Sequence, residues 1–425
     1  MSTTPVEKPA APEGDPGFGI DRREYTVAGA LREYLQQLRS GDLGALPAIL
    51  GLAALCILFS ALRPGTFPTP INFANLVVQA APITLLAMGL VFVLLLGEID
   101  LSAGVTGGVC AAVMAELLVV TGQPWFVGVL AAIATALVIG SFIGWLVASV
   151  GIPSFVVTLA LFLGLQGVTL KIIGQGGTVR IHDPVIIAIA NTNVPVVLGW
   201  VLCLAVVAAY AAISLTGWWR QRARGLARQP VALVAARVGI VAALLVFGTF
   251  VLSIDRARNP LFELRGIPYA VPLIALLLVV ATFVLDRTRF GRFIYAVGGN
   301  REAARRAGIN VTRIRIYGFM IGSSLAAVSG IVAASRLSSV TPDSGAGNTL
   351  LYAVGAAVIG GTSLFGGRGR ARNAVLGGLV IATINNGLGL LGFDPYLNFL
   401  VTGGFLLLAA GVDALARKRR ATAGR

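Results

Sequence analysis

Asp286–Arg315 reads DRTRFGRFIYAVGGNREAARRAGINVTRIR, a basic island between apolar runs at roughly 269–285 and 315–336. Eight of its residues are arginine. Asn300 has the side chain to cap a helix, Glu302 suits the first turn, and Gly308 suits its end. A helix so bounded has about two turns, too few to persist alone in water. It needs a receiving surface. One reading is a soluble partner; the other is a solvated loop whose helix lies on the bilayer.

The rest of the chain is oily. Of 425 residues, 56% are hydrophobic and 12% charged, about half the charged share of an ordinary soluble domain. Apolar runs of about 17–23 residues recur without strand-like alternation, so the expected fold is all-α, a polytopic transmembrane helical bundle. The net charge of +15 sits between the apolar runs, as in basic cytoplasmic loops, and does not point to nucleic-acid binding. Lys8, Lys171 and Lys418 are the only lysines, and none follows a glycine. A phosphate-binding loop of the G-x-x-x-x-G-K-[ST] type is therefore excluded. If ATP drives this protein, another chain binds it.

Spans are expected at roughly 47–62, 74–96, 103–121, 125–149, 154–173, 194–216, 233–253, 269–285, 315–336, 349–366, 374–391 and 394–414, about twelve crossings. With the N-terminus inside, 26 of the 33 basic residues fall on the inner side, the bias expected of cytoplasmic loops. Residues 1–46 read as a partly disordered cytoplasmic tail without a cleavable signal pattern. The transmembrane domain would run from 47 to 415, with 286–315 as its inner loop. Residues 416–425 form a basic cytoplasmic tail.

Cys56, Cys110 and Cys203 lie within apolar stretches and read as small buried hydrophobes. His182 is the only histidine, so no His-pair metal motif and no convincing triad exist. No catalytic residue, metal or cofactor is expected. The polar residues near hydrocarbon carry the remaining interest. Glu98, Asp100 and Ser102 follow a long apolar run, between Gly97 and Gly104. They read either as a broken-helix element beside a path or as a plain turn with solvated acids. The Gly-rich stretch 355–369, with Thr362 and Ser363, serves close helix packing or faces a substrate. Asn385 and Asn386 need partners, from a neighbouring helix or a hydroxylated substrate. Gly97-Glu-Ile-Asp-Leu-Ser-Ala-Gly104 also faintly echoes Gly360-Gly-Thr-Ser-Leu-Phe-Gly-Gly367, as repeated transporter halves do.

Five motifs occur in order: Gly97-x-Ile-Asp-Leu-Ser-x-Gly104, Gly291-Arg-x-x-Tyr-Ala-Val-Gly-Gly-Asn300, Glu302-Ala-Ala…Gly308-Ile, Gly360-Gly-Thr-Ser-Leu-x-Gly-Gly367 and Asn385-Asn-Gly-Leu388. Together, over 72–182 and 269–415, they resemble the membrane permease of ATP-binding-cassette monosaccharide importers, the ribose, galactose, arabinose and xylose group. The resemblance implies a homodimer of permeases forming the path, two separate cytoplasmic ATP-binding subunits beneath, and an extracytoplasmic sugar-binding protein. It places Gly298, Gly299, Asn300, Arg301, Glu302, Ala303, Ala304 and Gly308 at the ATPase contact. Glu98, Asp100, Ser102, Thr362, Ser363, Asn385 and Asn386 are the corresponding translocation-path candidates. The expected home is a bacterial inner membrane, with both termini cytoplasmic and the chain in contact with lipid.

Compact relatives in that family run almost directly from the fifth span to the span before the basic island. Here 183–268 intervene as an apparent two-helix insertion, which resembles the longer xylose-type branch and makes D-xylose the expected substrate. Two rivals stand beside this reading. One is an importer permease for branched-chain amino acids. The other is an ion-coupled secondary transporter, which would place acidic residues at mid-membrane.

Overall fold

The computed structural model describes residues 29, 46–224, 230–257, 263–394, 396–397, 399–404, 407–408 and 411. In chain order the first half comprises α1 (Leu46–Leu62), α2 (Pro70–Leu95), α3 (Ala103–Ala115), α4 (Trp125–Trp145), α5 (Ser154–Ile173), β1 (Val179–Arg180), α6 (Pro184–Asn191) and β2 (Asn193–Val194). There follow α7 (Val196–Ala223), α8 (Val231–Ser253), β3 (Ile267–Pro268), α9 (Ala270–Arg287), α10 (Arg289–Gly299) and α11 (Arg301–Arg306). Last come α12 (Val311–Leu337), β4 (Ser339–Val340), α13 (Thr349–Ile359) and α14 (Ala371–Leu391). Single π-type turns, Glu116–Val120 and Leu146–Val150, extend α3 and α4.

Nine helices among the described residues are long and apolar enough to cross a membrane. The chain is thus an all-helical, multi-pass membrane protein. Three of the twelve expected spans are not among these nine. The one at 47–62 forms α1, an apolar helix of 17 residues that falls short of that length. The one at 349–366 becomes α13, 11 residues long and about 16 Å in length, after which the chain breaks into a glycine-rich turn. The one at 394–414 falls partly outside the described residues, as do the expected tails apart from Gly29 and Leu46. The 183–268 stretch contributes two long helices, α7 and α8, but also the short helix α6.

The chain divides into two compact units: Ser40–Trp200 with Thr249–Arg425, and Met1–Arg39 with Val201–Gly248. In the smaller unit the described residues are chiefly the arms of α7 and α8. Few of their apolar side chains are buried, as suits helices whose solvent is lipid.

The larger unit is built around α12. It packs against α2, α3 and α4, and it approaches each through glycine. A Cβ on Gly89 would meet Gly322 O at 2.7 Å, one on Gly107 would meet Ala326 O at 2.6 Å, and one on Gly144 would meet Ile316 Cα at 2.7 Å. Small residues at these crossings let backbones come close, which is how helices gain packing energy where no hydrophobic drive separates them from lipid. Ser329 Oγ on α12 adds a 2.7 Å hydrogen bond to Pro82 O on α2. Phe92, Phe319, Met88 and Leu85 fill the fully buried centre.

The 27-residue α12 spans about 40 Å, so its two ends mark the two ends of this unit. Its N-terminus joins the basic island. At its C-terminus β4 pairs antiparallel with β1, Val179 opposite Val340. Asn191 Nδ2 of α6 donates to Ser335 O at 2.6 Å. A second short antiparallel pair joins β2 to β3.

Candidate functional site

The basic island folds as two short helices. Thr288 caps α10, its Oγ1 accepting from Gly291 N at 3.1 Å, and the buried Ile294 and Val297 turn α10 onto the core. Asn300 then caps α11, its Oδ1 accepting from Ala303 N at 2.9 Å. At the far end Gly308 adopts φ 80°, with Gly308 N–Arg305 O at 3.0 Å and Ile309 N–Ala304 O at 3.1 Å. Those paired bonds are a Schellman stop, which needs a left-handed residue and favours glycine. Only Ala304 of α11 is buried. Arg301, Glu302, Ala303, Arg305 and Arg306 are exposed, and Glu302 pairs with Arg306 at 3.3 Å and Arg305 at 3.7 Å. The short helix thus offers an exposed basic face.

Two other segments meet the island. Gly97 ends α2 by the same stop, with Gly97 N–Leu94 O at 2.9 Å and Glu98 N–Val93 O at 3.3 Å. Gly361 ends α13 likewise, with Gly361 N–Val358 O at 2.8 Å and Thr362 N–Ala357 O at 2.9 Å. The carbonyl of Leu95, orphaned by the helix end, accepts from Gly367 N at 2.9 Å. Gly298 packs onto this bond so closely that a Cβ there would strike Leu95 O and sit 2.8 Å from Gly367 N. Three sequence motifs far apart in the chain therefore meet through main-chain atoms. Both stretches of the sequence echo end a helix by the same stop, but at Gly97 and Gly361, so the alignment of Gly97 with Gly360 is not the structural one.

Glu98 is the charged member of this junction. It is 5% exposed, and its Oε1 accepts from Arg301 Nη2 of α11 and lies 2.7 Å from Arg315 Nη2 of α12. A buried carboxylate is tolerable because two guanidiniums compensate its desolvation. Asp100, 1% exposed, has a local task. Its Oδ1 accepts from Ser102 N at 2.9 Å and Ser102 Oγ at 2.7 Å, capping the approach to α3. Burial pushes its carboxyl above the usual range, against the lowering pull of hydrogen bonds from Ser102 and Ala103. Ile99 is tied to the start of α5, its N donating to Ser154 Oγ at 3.2 Å.

The other seat of polar groups is a cavity of about 420 Å³ in the larger unit, along the C-terminal half of α12. Gln79, Tyr352, Asn385, Ser329, Arg336 and Asp343 are among its polar lining, and Gly104, Gly107 and Gly108 in the first turns of α3 form a smooth wall. That volume lies within the range of small-molecule pockets. Amide, hydroxyl and phenol groups offer both donors and acceptors to a neutral polyhydroxylated molecule.

Of the seven path candidates, only Asn385 lines this cavity. Glu98, Asp100, Ser102, Thr362 and Ser363 lie in the turns of the junction that meets the basic island. Ser363 shapes its own turn, accepting at Oγ from Phe365 N and donating at N to Arg368 O. Asn386 forms a reciprocal amide pair with Asn72 of α2, at 3.0 and 2.9 Å, so its partner is a neighbouring helix. Arg315, Gln79, Tyr352, Arg336 and Asp343 were not singled out by the sequence. A glutamine inside an apolar run was the one visible signal among them. Among the described residues no cluster of His, Cys, Asp or Glu is placed to hold a metal.

Comparison with known proteins agrees with this architecture. Residues 72–410 match the family described as "Branched-chain amino acid transport system / permease component". The xylose transport system permease protein XylH of Escherichia coli (strain K12) is 34% identical over 388 residues, covering 90% of this chain and 94% of the relative. XylH of Haemophilus influenzae (strain ATCC 51907 / DSM 11121 / KW20 / Rd) is 33% identical over 384 residues, 90% of this chain and 99% of the relative. The ribose import permease protein RbsC of Escherichia coli (strain K12) is 31% identical over 366 residues, 86% of this chain and 92% of the relative. No solved structure matches. Nine membrane-length helices among the described residues and a family match from 72 to 410 have one meaning: this chain belongs to the family of transport-system permease components.

Proposed function

We propose that this chain is the membrane-spanning subunit of an ATP-driven monosaccharide importer, with D-xylose as its substrate. The carrying observation is the 34% identity to a xylose transport system permease, sustained over 90% of this chain. Two copies form the path; a separate ATPase subunit docks on the exposed face of Asn300–Gly308 from the cytoplasm; a sugar-binding protein delivers substrate at the outer end. Gly298 seats that face against Leu95 and Gly367, while the exposed Gly299 belongs to it. The cavity receives the sugar through polar contacts, neutral at Gln79, Tyr352 and Asn385 and charged at Arg336 and Asp343. Both termini lie inside the cell.

The family's description favours a second reading, a permease for branched-chain amino acids. The two are separated by reconstituting the chain with its native companion subunits and measuring ATP-dependent uptake. Excess D-xylose is expected to suppress labelled xylose uptake at least tenfold, and leucine to leave it unchanged. Competition by leucine alone would overturn the sugar assignment. Vesicles holding this chain by itself, under proton or sodium gradients, are expected to show no uptake. Accumulation there would restore the ion-coupled alternative.

A further inference from the structure

Glu98 joins three elements at one carboxylate and its flanking turn. The carboxylate touches Arg301, the first residue of α11, and Arg315, in the first turns of α12. Its own backbone follows the Gly97 stop, and the turn it belongs to leads through the Asp100–Ser102 cap into α3. The glycines that wall the cavity stand directly after that cap, at 104, 107 and 108. We propose that Glu98 is a positioning residue that transmits displacement of α11 to the start of α3, so that ATPase docking reshapes the cavity wall. This rests on the importer reading just given.

Three features argue for transmission and not merely for support. The contact to Arg301 is to a side chain that is 44% exposed, on the very helix offered to the partner. The contact to Arg315 is to a buried one, 11% exposed, set in the central helix. A carboxylate shared between a surface element and an interior one holds the two in register. The surrounding contacts are main-chain to main-chain, through Gly298 and Gly367, and these permit little independent motion. A push on α11 is therefore passed on, and the short cap between Glu98 and Gly104 leaves little slack to absorb it.

The test uses the complete assembly and compares E98Q, R315Q and E98Q/R315Q, reading thermal melting and sugar delivered per ATP hydrolysed. A purely structural ion pair predicts that the neutral double variant recovers both readouts, because no unpaired buried charge remains. Transmission predicts that melting recovers while sugar per ATP stays at least fivefold below wild type, since Arg301 has lost its carboxylate. Recovery of that ratio to within twofold of wild type overturns the proposal. If the neutral variants do not assemble, E98D keeps the charge and shortens the reach; an unchanged ratio there also overturns it. Failure of the wild-type assembly to move sugar would instead overturn the importer reading.

Discussion

Gly298 and Gly308 flank the same short helix but resist substitution for different reasons. Gly298 lies against Leu95 O and Gly367 N, so an added methyl group must push two backbones apart. Gly298→Ala should cost about 1–3 kcal/mol, the usual price of overpacking. Gly308 has open space around it but φ 80°. Gly308→Ala should cost about 1–2 kcal/mol of left-handed strain. Asparagine tells the two apart, since it tolerates that conformation. Gly308→Asn is expected to recover much of the melting temperature and Gly298→Asn none of it. At Asp100 the hydrogen bonds to Ser102 speak for a cap. Asp100→Asn keeps an acceptor there and should melt close to wild type, whereas Asp100→Ala leaves the buried Ser102 donors unpaired at a cost of about 1–3 kcal/mol. Equal melting curves for those two variants would remove the capping role.

Between elements, polar pairing decides alignment. Asn72 near the start of α2 and Asn386 near the end of α14 exchange both amide bonds in a buried setting. Asn386→Ala leaves Asn72 short of a partner and should cost about 1–3 kcal/mol. In a double-mutant cycle, Asn72→Ala with Asn386→Ala should cost less than the two singles added, because the pair acts as one unit. Additive losses would mean the pair is incidental. What the sequence could disclose here followed range. Helix α11 was readable because its cap, first-turn acid and terminal glycine are neighbours in the chain. The Glu98 contacts were not, since 203 positions separate Glu98 from Arg301 and no periodicity names a partner at that distance. The path candidates show the same limit. Acids and glycines stood out as special, but only packing reveals that most of them build a junction and that Gln79 and Tyr352 line the cavity. The breaking of 349–366 after 11 residues likewise came from a glycine stop inside a run whose hydropathy alone reads as a span.

At the scale of the whole molecule, orientation decides whether the importer reading can stand. Arg305 on α11 and Arg180 on β1 are both exposed, at opposite ends of the larger unit. The native cysteines give little background, since Cys110 and Cys203 are buried and Cys56 is half-buried. With Arg180→Cys, a membrane-impermeant maleimide should label intact cells; with Arg305→Cys it should label only inside-out vesicles. The reverse pattern would place the basic face away from any cytoplasmic ATPase and sink the reading. The central helix also keeps two kinds of residue apart. Arg315 meets Glu98 near its start, while its cavity-lining residues begin at Ser329, about 21 Å further along the axis. On the importer reading, selectivity and response to fuel are therefore written on separate stretches of one rod. Natural selection could redraw the first, exchanging Ser329 or Arg336 as diets changed, while leaving the second untouched.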